Sequence, residues 1–304
     1  MIKIIYFHRL SFAESEERFV DEAKKLGVEL VMVKYRQLRL VGDRIMFGDL
    51  DIKDVNGWYF RAVGTELEWS KLLQKYAIKH GVAVVDQYLL SEGPLRRFKS
   101  VMGWQLVDGG VNYPKTIMVE NINDLKLELA NWQYPLVVKM SSGGRHGMST
   151  FWLRKSEDIT ELEQKINERI EQAKTAGKEV PIFRGFLVQE YIPNDGDYRV
   201  MTVGYKCIGG FKRAPKEEKM VMNKSLGKSI GLKEVPADVA QEAEKAAEVL
   251  GVEVAGTDLV RNSIDNKVYI VEVNEAPQFK VFEKRTGVNA AGKIMDYLVM
   301  KFSR

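Results

Sequence analysis

The sequence predicts a mixed α/β (α+β) fold, with a small N-terminal α/β domain followed by a larger region of antiparallel strands. Three observations carry this. Apolar runs alternate with charged amphipathic stretches through residues 1–94. From Thr116 onward, short strands are separated by turn residues, and a glycine-rich loop at 141–147 joins two of them. Residues 252–261 and 267–274 read as the arms of a hairpin around Asn262, Ser263, Asp265 and Asn266.

Taken in order, residues 3–7 form an apolar first strand, 14–26 an amphipathic helix and 29–34 a second strand. Short strands follow at 46–47 and 58–60, then a helix over 66–80 and a strand at 82–85. The break at Gly93-Pro94 closes a first domain, 1–94, and opens a second, 95–304. A helix over 99–107 is stopped by Asp108-Gly109-Gly110. Residues 116–119 are a strand, and Asn121 caps a helix running to 132. Strands at 136–140 and 149–153 flank the glycine loop, and 156–176 is a long charged helix. These make 95–185 a lid-bearing subdomain and 186–304 a second subdomain. Strands at 186–190, 198–203 and 205–212 are expected to share one mainly antiparallel sheet. Residues 214–232 read as a basic, mobile loop. Pro236 opens a helix to 250 whose Val239, Ala243, Ala246 and Leu250 share one face. A helix near 289–302 closes the chain.

Composition excludes several function classes. The chain has 304 residues, 45% hydrophobic and 29% charged, as ordinary globular proteins do. A net charge of +4 is too small to argue for a nucleic-acid partner. One cysteine, Cys207, rules out an intramolecular disulfide framework, and three scattered histidines argue against a histidine metal site. No apolar run approaches the roughly 20 residues of a membrane span, and the start is too short for a signal sequence. A cytoplasmic enzyme is the default expectation.

The hairpin carries the most chemistry. Centred on Asp265, it sets Asp258 opposite Glu272, and Asn274 shares the face of Glu272. Opposed carboxylates repel by roughly 0.2–1 kcal/mol, so a positive charge belongs between them. Two carboxylates and an amide oxygen suit Mg²⁺ carrying phosphates; a solvated polar face is the alternative, and spacing leaves both open. Lys139 ends an apolar strand before Ser141-Ser142-Gly143-Gly144-Arg145-His146-Gly147, a flap whose N–H groups can close on phosphates. An ordinary hairpin with a snorkelling lysine is the alternative. Lys99 lies in a basic helix start with Arg96 and Arg97. Phe186 to Pro193 runs from a buried strand into a turn where a planar base could stack, or where a core strand simply ends. Arg199 and Arg213 are candidates for phosphate oxygens. Lys212, Lys216, Lys219, Lys224 and Lys228 form a basic span diluted by Glu217 and Glu218.

Together these residues resemble the ATP-grasp superfamily, in particular RimK-type carboxylate–amine ligases. The blocks are Tyr134-Pro135-Leu136-Val137-Val138-Lys139, Val188-Gln189-Glu190-Tyr191-Ile192, Ala255-Gly256-Thr257-Asp258-Leu259-Val260-Arg261 and Val271-Glu272-Val273-Asn274. The resemblance covers about residues 95–302 and implies an ATP-grasp fold behind a small pre-ATP-grasp domain. It implies that Lys99, Lys139 and the loop with Ser142, Gly143 and Gly144 hold ATP phosphates. Gln189, Glu190, Tyr191 and Ile192 would form the adenine hinge, with Asp197 on the ribose side. Arg199 and Arg213 would face phosphates or an acyl phosphate. Asp258, Glu272 and Asn274 would bind Mg²⁺ (Mn²⁺ being an alternative), with Asn223 nearby. After Asn274 the chain reads Glu275-Ala276-Pro277-Gln278, where RimK-type chains usually have small residues and Pro-Gly; the substrate is left open.

The implied reaction activates a carboxylate with ATP as an acyl phosphate, then lets an amine displace phosphate, releasing ADP. The partners implied are ATP, a carboxylate substrate and an amine co-substrate, including acidic amino acids or peptides. A homo-oligomer is compatible with the sequence. A kinase acting on a small-molecule hydroxyl and a non-catalytic nucleotide-binding module are the alternatives.

Overall fold

The computed structural model describes the chain except residues 9–13, 62, 64–65, 92–97, 141–149, 176–184, 215–228, 233 and 304. The N-terminal part opens with β1 (Lys3–His8), α1 (Glu14–Lys25) and β2 (Glu29–Lys34). A small antiparallel sheet of β3 (Leu38–Val41), β4 (Arg44–Phe47) and β5 (Leu50–Asp51) follows. Next come β6 (Gly57–Phe60), α2 (Leu67–His80) and β7 (Val84–Val85). The parallel sheet has the order β2-β1-β6-β7. Its inner strands are apolar on both faces, as a sheet covered on both sides requires. Gly81 ends α2 in the left-handed conformation that glycine adopts without a Cβ clash.

Two helices, α3 (Tyr88–Ser91) and α4 (Lys99–Asp108), lead to the middle unit. It contains β8 (Thr116–Val119), α5 (Ile122–Leu129), β9 (Leu136–Met140), β10 (Thr150–Leu153), α6 (Asp158–Thr175) and β11 (Phe186–Glu190). The Asn121 side chain accepts from the Asn123 and Asp124 N–H groups, as the capping residue should. The sheet order is β10-β9-β11-β8, all antiparallel. This corrects the expectation that residues 186–190 share a sheet with the strands after them. Phe186 and Val188 bury one face against Leu136, Val138 and Phe151, under α5 and α6, which holds β11 at the centre of the middle sheet.

The last unit holds β12 (Asp197–Val203), β13 (Lys206–Arg213), β14 (Ser229–Gly231), α7 (Ala237–Val249), β15 (Val254–Arg261), β16 (Val268–Asn274), α8 (Phe279–Thr286) and α9 (Ala290–Phe302). The sheet order is β14-β13-β12-β15-β16. The span read as a loop over 214–232 therefore contains a strand, because Ser229–Gly231 pairs with β13. Residues 215–228 of that span lie outside the described residues.

Two of the apolar cores join the first and last units. One combines Phe7, Trp58, Leu73 and Leu106 with Val200, Val239, Ala243 and Leu259. The other combines Ile4, Tyr6, Phe19 and Tyr59 with Met201, Phe279, Ile294 and Leu298. Polar contacts reinforce the junction. Asp86 Oδ1 accepts the Val254 N–H at 2.9 Å. Glu253, 2% exposed, accepts the Gln87 N–H at 2.9 Å and the Tyr297 hydroxyl at 2.6 Å, and it pairs with Lys301. The middle unit has a core of its own. Among the described residues, no helix is long and apolar enough to cross a membrane.

Candidate functional site

The predicted pairing of Asp258 with Glu272 is present, but a bulge produces it. From the turn, the register runs Arg261 with Val268, Val260 with Tyr269 and Leu259 with Ile270. Continued without interruption, it would set Asp258 against Val271. The ladder instead steps over Val271, so Asp258 faces Glu272 and Gly256 faces Asn274. The carbonyl of the skipped Val271 receives a long contact of 3.4 Å from Lys139 Nζ. Lys139, 7% exposed at the end of β9, thereby bridges the middle sheet to the hairpin.

Cross-strand register gathers the other charged candidates. Arg199 on β12 lies opposite Asp258, and Asp197 lies opposite Arg213 on β13. Alternation along β12 places Asp197 and Arg199 on the face that carries Asp258. Arg213 contacts Asp197 and donates from Nη2 to Asp258 Oδ1 at 2.8 Å. Arg199 Nη1 lies 2.7 Å from Asp258 Oδ2, an ion pair in which the N–H direction misses the oxygen. The positive charge expected beside Asp258 is thus supplied by two guanidiniums. Burial opposes the charge on Arg213, but the Asp258 and Asp197 carboxylates outweigh it and hold its pKa above the ordinary guanidinium value. Arg213 Nε is buried with no hydrogen-bond partner among the described residues, whereas Arg199 Nη1 has the misaligned Asp258 carboxylate beside it. Buried donors of this kind are costly unless an acceptor arrives.

Gly256 makes room for this arrangement. A Cβ there would lie 2.7 Å from Pro277 Cβ and 3.2 Å from Arg199 Nε and Nη2. Asn274 Nδ2 donates to the Gly256 carbonyl at 3.2 Å, so its amide oxygen is the atom left for a cation. Glu272 and Asn274 line an open cleft of about 250 Å³, and Lys99, the first residue of α4, lines the same cleft. Asp258, Glu272 and Asn274 carry hard oxygen donors of the kind Mg²⁺ takes, with Asp258 also paired to both arginines.

The hinge candidates sit at the end of β11. Gln189 is 2% exposed and donates from Nε2 to Thr116 Oγ1 at 2.8 Å. Glu190 Oε1 accepts the Lys115 N–H at 2.8 Å. Tyr191 stands with its ring 5.6 Å from Trp152, and Ile192 is buried. Ser142, Gly143, Gly144 and Asn223 lie outside the described residues.

Two residues here escaped the sequence reading. Tyr113 is pushed up to about 12 by burial first, then by the charge of nearby Glu272, while a hydrogen bond with Gln189 opposes the rise. It follows Asn112 in a segment without periodicity, so no pattern flagged it. Arg61, directly after β6, donates from Nη2 to the Pro277 carbonyl at 2.6 Å. The signal that singled out Lys139, a cation ending an apolar strand, applies equally to Arg61.

Two antiparallel sheets meeting where Lys139 reaches the Asp258–Glu272 hairpin define an ATP-grasp fold. The RimK-like ATP-grasp domain model matches residues 97–298, and the chain belongs to that family. A protein of Halorhodospira halophila named probable alpha-L-glutamate ligase is 35% identical over 134 residues, 42% of this chain and 44% of that protein. The chain thus matches less than half the length of that relative. The ATP-grasp ligase PsnB, solved with a phosphomimetic variant of its minimal precursor, Mg and ADP, superposes with a TM-score of 0.72 at 16% identity, covering 99% of both chains. The macrocyclase MdnC of Microcystis aeruginosa, bound to precursor peptide MdnA, gives 0.71 at 15% identity over 98% of this chain and 100% of that one. At these identities the two structures speak for the fold.

Proposed function

We propose that the protein is an ATP- and Mg²⁺-dependent carboxylate–amine ligase that forms an amide or peptide bond through an acyl phosphate. The observation that carries this reading is the shared face of Asp258, Glu272, Arg199 and Arg213, on which two guanidiniums converge on Asp258 beside an opposed second carboxylate. A carboxylate is a poor electrophile. Its oxygen attacks the γ-phosphorus of ATP, ADP leaves, and the acyl phosphate presents an activated carbonyl carbon. The amine attacks that carbon and phosphate departs with the electrons of the C–O bond. Arg199 and Arg213 neutralise charge on the transferring phosphoryl group. Lys99 and Lys139 hold ATP phosphates, and Gln189 to Ile192 border the base. Asp258, Glu272 and Asn274 would hold Mg²⁺, which would offset phosphate charge as a Lewis acid; Mn²⁺ would suit the same oxygen donors.

Within this reading, residues 95–304 are the ATP-grasp domain, and 1–94 precede it as a small α/β pre-ATP-grasp domain. An acidic amino acid or peptide is the carboxylate or amine substrate, a choice supported by the relative named for glutamate ligation. The cytoplasm, which supplies ATP, is the proposed location. Hydroxylamine distinguishes the reaction from phosphorylation of a hydroxyl: with a carboxylate substrate it yields a hydroxamate, whereas a kinase yields a stable phosphate ester. ADP release should depend on an added carboxylate from a panel of amino acids, dipeptides and acidic metabolites. Asp258→Asn combined with Glu272→Gln should abolish that release, and wild-type turnover in the double variant refutes the metal assignment.

A further inference from the structure

Arg61 is a buried cation that the structure leaves unneutralised. It is 8% exposed, and no carboxylate lies within ion-pair distance of it among the described residues. Its Nη2 is engaged by the Pro277 carbonyl, and its guanidinium carbon lies 5.6 Å from the centre of the Phe279 ring. Its Nη1 is buried and has no hydrogen-bond partner among the described residues. A buried guanidinium without an anion is expensive to maintain, so a site that keeps one calls for an anion.

Topology says where that anion would lie. In the sheet order β2-β1-β6-β7, the chain leaves β1 for its neighbour on one side and returns to β6 on the other. The connections diverge at the carboxyl ends of β1 and β6, the position at which parallel sheets open a ligand crevice. Buried His8 ends β1, and Arg61 follows β6 directly. The buried phenols of Tyr6 and Tyr59 lie within reach of the Arg61 charge; burial pushes both up, and that charge pulls against it. At Tyr6 a hydrogen bond with Arg61 adds to that pull, while the Tyr59 hydroxyl lacks a hydrogen-bond partner among the described residues.

This end of the parallel sheet adjoins the charged sheet face. Pro277, whose carbonyl Arg61 holds, crowds Gly256, and the Arg199 guanidinium crowds the same glycine. Arg61 is therefore joined through Pro277 to the glycine beside Arg199, an arginine assigned to the phosphoryl group. We propose that Arg61 binds a carboxylate of an amino-acid substrate other than the carboxyl being activated, and so selects acidic substrates. This rests on the ligase reading above. The carboxylate belongs to either the acceptor or the amine co-substrate, and kinetics separate the two.

Wild-type protein is tested first for binding without turnover. Glutarate should raise Tm and glutaramide should not; equal shifts from the two overturn the proposal. Arg61→Met should remove the glutarate shift, and Arg61→Lys should restore part of it. A glutarate shift that survives in a folded Arg61→Met protein overturns it as well. In the ADP-release assay with L-glutamate and its carboxamide analogues, Arg61→Met should raise KM about 10- to 100-fold for the one substrate whose carboxylate it holds, the range of one charged hydrogen bond. KM for ATP should stay within about twofold. An equal rise for the acid and its amide analogue indicates a merely structural role and refutes the assignment. If no substrate supports ADP release but the Arg61-dependent glutarate shift is present, the anion site stands and the ligase reading falls.

Discussion

Replacing Gly256 by alanine puts a methyl group where Pro277 and Arg199 converge. The added Cβ would lie 2.7 Å from Pro277 Cβ and 3.2 Å from two guanidinium nitrogens. Ordinary carbon–carbon contact is about 3.5–4.0 Å, so Pro277 must retreat by roughly 1 Å. Retreat is resisted, because the Pro277 carbonyl is held by Arg61 and Phe279, two residues on, is buried in the core. Overpacking of this kind costs about 1–3 kcal/mol. At ~2.1 cal/mol/K per residue, unfolding 304 residues carries on the order of 0.6 kcal/mol/K, so Tm should fall by about 2–5 °C. The larger effect should be on turnover. Pushing the Arg199 guanidinium off Asp258 displaces a group assigned to the phosphoryl oxygens, and a shift of about 1 Å there costs on the order of 100-fold in rate. Thermal unfolding and substrate-dependent ADP release, measured on the same preparation, separate the two effects. A Gly256→Ala protein whose Tm lies within about 1 °C of wild type, and whose kcat lies within about twofold, refutes the crowding argument.

Glu253→Gln should loosen the joint between the first and last units. It leaves the Lys301 ammonium without a carboxylate, a loss of about 3–5 kcal/mol for a buried pair, or about 5–8 °C in Tm by calorimetry; a change under about 1 °C means the pair is not a structural lock. Asp51 bears on acid stability. Burial would raise its carboxyl, but hydrogen bonds from Lys53, Tyr76 and Arg44 outweigh burial and hold it well below the usual carboxylate range. A depressed folded pKa contributes stability that is full above the unfolded value of about 3.9 and is lost as pH falls toward the folded one. Asp51→Asn should therefore lower Tm at pH 6, with the gap from wild type narrowing as pH falls below about 4; a gap independent of pH contradicts the assignment.

Much of the site was legible because its parts lie along strands. The alternation that puts Glu272 and Asn274 on one face is a local property of β16, and the turn residues at 262–266 set the hairpin. The bulge at Val271 was not legible: it inserts one residue without any glycine or proline to mark it, and the expected pairing of Asp258 with Glu272 depends on it. The sheet membership of β11 was misread for a related reason. Phe186 to Val188 are apolar in a way that fits the centre of any sheet, and only packing against β8 and β9 chooses one. Arg199 and Arg213 were singled out as candidates for anion binding from residue type. Their joint grip on Asp258 follows from strand register, which single strands do not encode.

By itself, the sequence determined the longer elements and their order, the family and the residue types able to hold phosphates and a divalent cation. These follow from periodicity, turn chemistry and side-chain charge, all of which act between near neighbours along the chain. The tertiary structure alone decided which of those residues meet. Lys139 reaches Val271 across 132 positions, and Arg61 reaches Pro277 across 216. Such contacts depend on how whole sheets dock over the cores they share. Docking is set by the summed burial of many side chains, and no short stretch of sequence carries that sum.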